Sequence, residues 1–301
     1  MNADAMQPAI RKSRAYPQHL CRARNSTNYL RGPRIAATLV VDEMRLHIPL
    51  LLASASPLAI VAIPDDQIYI SLQSQGIVKP AGSVAVEDGN ILFAYKGETH
   101  QTYYKVFGDL DNHTRVPVVV LHGGPGLSHD YMLPNADLAD EPYGYPVIFY
   151  DQIGNARSTH LPDEPEDFWS VDLFLDELEN ILAHFKIQDR YYIVGHSWGG
   201  ILAAEFVVRR QPKGLRRLVI ADAPSAIALW RQSFMQLLQE FPEWVKEAIG
   251  RGFQDRETYW KALGEVYAVH GCRVQPMPED LEYSLLQVYG EGADLTVENA
   301  S

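Results

Sequence analysis

Tyr191-Tyr192-Ile193-Val194-Gly195-His196-Ser197-Trp198-Gly199-Gly200, followed by Ile201-Leu202-Ala203-Ala204, is the stretch on which the reading of this chain turns. Tyr191 to Val194 is an apolar run without polar alternation, as expected of a strand covered on both faces. Small residues after Gly200 open a helix. Between them, GHSWGG places a serine among glycines at the apex of a strand-to-helix turn. In that context the pattern is a nucleophile elbow, in which the serine stands at the carboxyl end of a sheet. Gly195 and Gly199 relieve crowding where the chain turns sharply, and small residues let the helix approach the sheet. The competing reading is a glycine turn that happens to contain serine.

Outward from this stretch, Val116 to Leu121, Val147 to Tyr150 and Leu218 to Ile220 are further continuous apolar runs. Val171, Phe174, Leu175, Leu178, Ile181, Leu182 and Phe185 form one stripe at helical period, with Ser170 placed to cap it. Strand, helix, strand, helix, strand implies a doubly wound, mostly parallel α/β sheet. Ser83 to Val86, Ile91 to Tyr95 and Tyr103 to Phe107 are short and β-rich, separated by Asp88-Gly89 and Gly97, and read as an antiparallel meander leading into that sheet. After Pro224 the strand signal stops. Trp230 to Phe241, Trp244 to Ile249, Thr258 to Val269 and Leu281 to Tyr289 read as helices of a lid. The expected organisation is an extension over 1–82, a core over 83–223, a helical cap over 224–290 and a polar tail over 291–301.

His122-Gly123-Gly124-Pro125-Gly126 directly follows the run Val116 to Leu121. A loop in this position supplies one backbone N–H to a developing oxyanion, and the residue after the nucleophile supplies the other. Here those are Gly124 and Trp198. Glycine lets the amide take the required aim and Pro125 stiffens the loop. Taken alone, GGPG is an ordinary turn and His122 an ordinary structural histidine; both motifs at the ends of successive buried strands argue for a site.

With Tyr150-Asp151-Gln152-Ile153-Gly154-Asn155-Ala156-Arg157-Ser158 lying between HGGPG and GHSWGG, the sequence resembles the proline iminopeptidase group of α/β-hydrolases, including fungal prolyl aminopeptidases. The resemblance covers about residues 83 to 290. It implies an α/β-hydrolase fold with a helical lid, and release of an N-terminal residue, often proline, from small peptides or amides without metal or organic cofactor. Ser197 would be the nucleophile, Gly124 and Trp198 the oxyanion hole, and His122, Gly123, Pro125, Gly126, Asp151 and Gln152 the supporting loops. Ala156 stands where the family pattern has glycine, a departure that is costly only if the position needs positive φ.

The triad order is Ser, then Asp or Glu, then His. After Ser197 the only histidine is His270, in a helical stretch with no strand before it, which argues for a structural role. Asp222 follows a strand and could orient a histidine, so Asp222 and His270 are the remaining partners. The resemblance also implies two further strands beyond the lid, bearing the acid and the base. This sequence shows none, so it predicts an impaired hydrolase with one open sheet edge. A carboxylesterase or amidase on the same fold, or a non-catalytic hydrolase-like fragment, are the alternatives. Glu240, Glu243, Glu247, Glu265, Glu279, Asp280 and Glu282 offer lid carboxylates for a substrate ammonium, although such a run is usually a solvated face.

A net charge of −12, with eight basic residues gathered before residue 63, leaves the remainder strongly acidic, which speaks against nucleic acid as a partner. Cys21 and Cys272 have no metal-ligand spacing and read as free thiols. No run of eighteen or more apolar residues is present, which argues against a membrane span. Met44 to Pro64, with Met-Arg at its start and Ala53-Ser54-Ala55 inside, has the shape of a secretory signal over about 44–62. That would make Met44 the start and 1–43 foreign to the fold. The competing reading is an apolar segment packed on a cytoplasmic domain. The sequon Asn112-His113-Thr114 agrees with export.

Overall fold

The computed structural model describes residues 39–42, 84–290 and 292–300; the signal-like stretch and Cys21 lie outside them. Among the described residues seven strands form one sheet: β1 (Leu39–Asp42), β2 (Val86–Tyr95), β3 (Glu98–Phe107), β4 (Val118–Leu121), β5 (Val147–Tyr150), β6 (Tyr191–His196) and β7 (Leu215–Ala221). Their spatial order is β1-β7-β6-β4-β5-β3-β2. β5, β4, β6 and β7 are parallel, while β3 joins β5 and β1 joins β7 antiparallel.

All side chains of β4 and β5 are buried, which explains why their sequences do not alternate. Val119, Leu121, Ile148 and Tyr150 face a core shared with α1 (Val171–His184) and α2 (Trp198–Arg210). Val118, Val120, Val147 and Phe149 face Met132 and Tyr131 of the 3₁₀ helix Asp130–Ala139. The period of two along each strand thus feeds two layers. Leu173, Leu175, Leu178 and Ile181 of α1 are fully buried, each contributing about 1.5–3 kcal/mol by leaving water. The Ser170 hydroxyl accepts from the Leu173 amide at 3.3 Å and caps the helix.

Two expectations are corrected. The entry is a single hairpin of two ten-residue strands, not a meander of three. Gly89 lies inside β2 opposite Tyr104, and a Cβ there would sit 3.1 Å from the Tyr104 hydroxyl, so this glycine makes room for a ring and does not turn the chain. The turn is Lys96-Gly97, both at positive φ. The outer edge of β7 is not open either: Leu39–Asp42 pairs along it from Leu39 with Ile220 to Asp42 with Arg217. An edge presents unpaired N–H and C=O groups that any extended segment can satisfy, and a segment from the stretch expected to lie outside the fold does so.

The lid comprises α3 (Ile227–Leu238), α4 (Glu243–Arg251), α5 (Arg256–His270) and α6 (Glu279–Tyr289). Leu238, Val245, Ala248, Ala262 and Val266 give it a small core of its own. A further short helix, α7 (Thr296–Asn299), buries Val297 in the main core against the Gly154 turn. Among the described residues no helix is long and apolar enough to cross a membrane.

Candidate active site

β6 ends at His196, and Ser197 follows at φ 53° and ψ −120° before α2 begins at Trp198. Few non-glycine residues are held there, because the conformation is strained by about 1–3 kcal/mol. The surroundings impose it. The Ser197 amide donates to Ala221 O at 2.9 Å, and the amides of Gly200 and Ile201 donate to Ser197 O. A Cβ on Gly199 would lie 2.2 Å from Leu121 O, so only glycine lets α2 start so close to β4. The serine is half-buried at the carboxyl end of the parallel strands. Trp198 opens α2, and the first-turn amides of a helix have no partner within it.

The loop after β4 lies beside this turn because Leu121 pairs with Gly195. A Cβ on Gly123 would be 3.0 Å from Ser197 Cβ and 2.9 Å from the Tyr131 hydroxyl. Gly124 has φ +117°, and a Cβ there would meet Gly126 N at 2.6 Å, so this position is closed to side chains. His122 is fully buried. Its Nε2 accepts from the Gln152 amide at 3.0 Å, which puts the ring proton on Nδ1, donated to Gly123 O at 2.9 Å. Burial pulls the His122 pKa down despite the opposing field of Asp151. With both nitrogens engaged, His122 braces the loop and takes no proton from Ser197. Gln152 completes the brace by donating to His122 O and accepting from Trp198 Nε1 at 2.9 Å.

Asp151, also fully buried, accepts from the His129 amide at 2.8 Å, His129 Nδ1 at 2.7 Å, and the amide and guanidinium of Arg157. Burial alone would raise its carboxyl, but the His129 hydrogen bond and the fields of His129 and His122 outweigh it and hold the pKa at about 2. Arg157 grips Asp130 with two nitrogens at 2.8 and 2.9 Å and lies between the rings of Tyr103 and Tyr283. Asp130 also accepts from Ser128, whose hydroxyl meets Ser284 of α6 at 2.8 Å. The loops around the serine and the lid are therefore tied through one charge network. His129, Asp130 and Asp151 bring three metal-type donors within 4.8 Å of one another, but the Arg157 guanidinium already occupies oxygens of both carboxylates. Behind it, Glu177 of α1 accepts from Thr102 Oγ1 at 2.5 Å and from the Ile153 amide at 3.0 Å, and burial pushes its pKa up to about 8. Ala156 sits at φ +48°, a backbone that favours glycine.

The structure does not bring Ser197, Asp222 and His270 together as a triad. His270 is exposed at the end of α5, its ring packed on Phe241 of the lid. Asp222, at φ +49°, instead approaches His196, with Oδ2 4.0 Å from Nε2. Among the described residues no histidine hydrogen-bonds the Ser197 hydroxyl. The seven acidic lid residues singled out from the sequence are all exposed. The inward carboxylate is Glu298 of α7, whose side chain lies against Gly126 of the HGGPG loop. Burial raises its pKa. Burial first, then Glu298 and, for Tyr267 and Tyr289, neighbouring phenols, push up the hydroxyls of Tyr259, Tyr267 and Tyr289 beside it. Glu298 carries no motif: it lies in a stretch of ordinary composition and is selected by packing. Tyr131, whose hydroxyl meets His196 Nδ1 of the GHSWGG turn at 2.7 Å, carries none either.

A family model described as alpha/beta hydrolase fold matches residues 116–260. The crystal structure of VinJ is similar at 39% identity over 70% of each chain, with a TM-score of 0.62. The chain belongs to the alpha/beta hydrolase family. The crystal structure of proline iminopeptidase from Mycobacterium smegmatis is 38% identical, covering 71% of this chain and 70% of that one, with a TM-score of 0.59. The proline iminopeptidase of Lactobacillus delbrueckii subsp. lactis is 33% identical over 184 residues, 60% of this chain and 61% of the relative. The relatives of this α/β-hydrolase thus include proline iminopeptidases, and the chain spans about three-fifths of the length of that curated relative.

Proposed function

We propose that this α/β-hydrolase is a serine-dependent aminopeptidase that releases N-terminal residues, proline preferred, from small peptides or amides. The observation that carries the reading is Ser197 on a strained turn at the mouth of the sheet, with the glycine loop of HGGPG packed against its Cβ. In this scheme the Ser197 hydroxyl attacks the scissile carbonyl, and the Gly124 and Trp198 amides receive the oxyanion. The amine leaves, and water then cleaves the acyl-enzyme. Preorganised amides of this kind are worth about 10²–10³ in rate each. Glu298 supports the preference for a free N-terminus: it is a half-buried carboxylate with no ion-pair partner among the described residues, placed beside the oxyanion loop. A substrate ammonium would neutralise it.

Since no described histidine reaches Ser197, the proton must leave by a slower route, and turnover by these 301 residues is expected to be low. The test is hydrolysis of proline p-nitroanilide, with Ser197→Ala as the blank. Ser197-dependent release that exceeds turnover of simple esters supports the peptidase. Equal rates for the chain and the Ser197→Ala variant on every substrate would remove the hydrolase reading.

A further inference from the structure

The Tyr131 hydroxyl lies 2.7 Å from the Gly123 amide nitrogen and 2.7 Å from His196 Nδ1. A phenol has one proton to give. It accepts from the Gly123 N–H, so its own proton goes to His196 Nδ1 if that nitrogen is bare. The surroundings keep it bare. Nε2 of His196 faces Asp222 Oδ2 at 4.0 Å, which draws the ring proton to that side. Burial, opposed in part by Asp222, lowers the His196 pKa and keeps the ring neutral. The rings of Tyr131 and His196 meet edge-on at 5.3 Å, which fixes their mutual orientation. Burial also raises the Tyr131 pKa, so the hydroxyl keeps its proton.

Three segments meet at this oxygen: the loop after β4, the 3₁₀ helix that carries Tyr131, and the end of β6, where His196 precedes Ser197. The meeting point is at the site itself, because the space where a Gly123 side chain would begin lies 2.9 Å from the Tyr131 oxygen and 3.0 Å from Ser197 Cβ. We propose that Tyr131 is a positioning residue for the oxyanion loop, anchored on His196: its hydroxyl takes up the Gly123 amide, leaving the Gly124 amide as the loop's donor toward Ser197. Without the hydroxyl, the Gly123 amide loses its acceptor and the His122–Gly123 peptide loosens; the Gly123–Gly124 peptide that follows, held at Gly123 O by His122 Nδ1, shifts with it, and its N–H loses its aim at the attacked carbonyl. The catalytic consequence rests on the hydrolase reading of Ser197; the structural link does not.

The experiment uses the full 301-residue chain and four variants: Tyr131→Phe, His196→Asn, His196→Ala and Ser197→Ala. Asparagine can offer an oxygen where Nδ1 stood; alanine cannot. Amide hydrogen exchange of the peptide spanning residues 119–130 is followed by mass spectrometry, alongside p-nitrophenyl acetate turnover and thermal unfolding. This ester loses its phenolate without needing a proton, so its rate reports mainly on the oxyanion site. Tyr131→Phe is expected to speed exchange at Gly123 by about tenfold, the equivalent of one net hydrogen bond. It should lower kcat by about 10- to 100-fold with KM within about twofold. His196→Asn should stay near the unmodified chain and His196→Ala should follow Tyr131→Phe.

Unchanged exchange and kcat in Tyr131→Phe would overturn the proposal, as would a change confined to KM. Equal losses in His196→Asn and His196→Ala would overturn the role of His196. If the unmodified chain shows no Ser197-dependent turnover, the hydrolase reading falls, and exchange at Gly123 alone decides whether Tyr131 holds the loop. Should Tyr131→Phe unfold, the two His196 variants carry the comparison.

Discussion

Replacing Asp151 by asparagine tests whether the charge network holds the site together. The carboxylate is fully buried and receives four donors, two on each oxygen: the His129 amide and Nδ1 on one, the Arg157 amide and guanidinium on the other. Its pKa, about 2 against an ordinary 3.8, corresponds to roughly 2 kcal/mol of stabilisation of the ionised form, at about 1.4 kcal/mol per tenfold change in acidity. The sign follows from the lowered folded-state value. The stabilisation is fully present above the unfolded-state pKa and is lost as pH falls from about 4 to about 2. Asparagine removes the charge at every pH and turns an NH₂ group toward two of the four donors. Breaking a buried pair in this way costs about 3–5 kcal/mol. Urea unfolding followed by tryptophan fluorescence should show that loss at neutral pH and a smaller difference near pH 3, where the unmodified chain is itself protonating. Because Gln152 follows directly and links His122 to Trp198, Ser197-dependent turnover should fall as well. A cost under about 1 kcal/mol at neutral pH, the scale of an exposed ion pair, would refute the reasoning.

Ala156→Gly should raise stability by about 0.5–1 kcal/mol, because Ala156 is held at φ +48°; an unchanged or lower Tm would count against it. Glu177, pushed up to about 8 in the fold, remains protonated there while the unfolded chain ionises above about 4.3, so stability should decline as pH rises from about 4 to about 8. Glu177→Gln should flatten that slope in denaturant titrations across this range, and an identical slope would show that Glu177 is not its source. Glu298→Gln should weaken binding of proline amide by about tenfold, measured by calorimetry, through loss of a charge-assisted contact; unaltered affinity would place the ammonium elsewhere.

What the sequence determined by itself is local. The elbow at Ser197 is legible because Gly195, Ser197, Gly199 and Gly200 act on the chain within six residues, and the glycines answer contacts that no side chain could share. The stripe of α1 and its Ser170 cap are legible for the same reason: period and capping are properties of neighbouring residues. The unbroken apolar runs of β4 and β5 announced burial on both faces, and with it the parallel sheet. Tertiary structure decided what depends on partners distant in sequence. Asp88-Gly89 carries a turn signal, yet Gly89 stays in a strand because the Tyr104 ring occupies the space above it. Leu39–Asp42 is an extended segment of no distinction until β7 offers it an edge. Asp222 lies by His196 and not His270 because the preceding Ala221 pairs with His196 across β6 and β7, and Glu298, unlike the exposed lid acids, lies against Gly126 because the neighbouring Val297 packs into the main core.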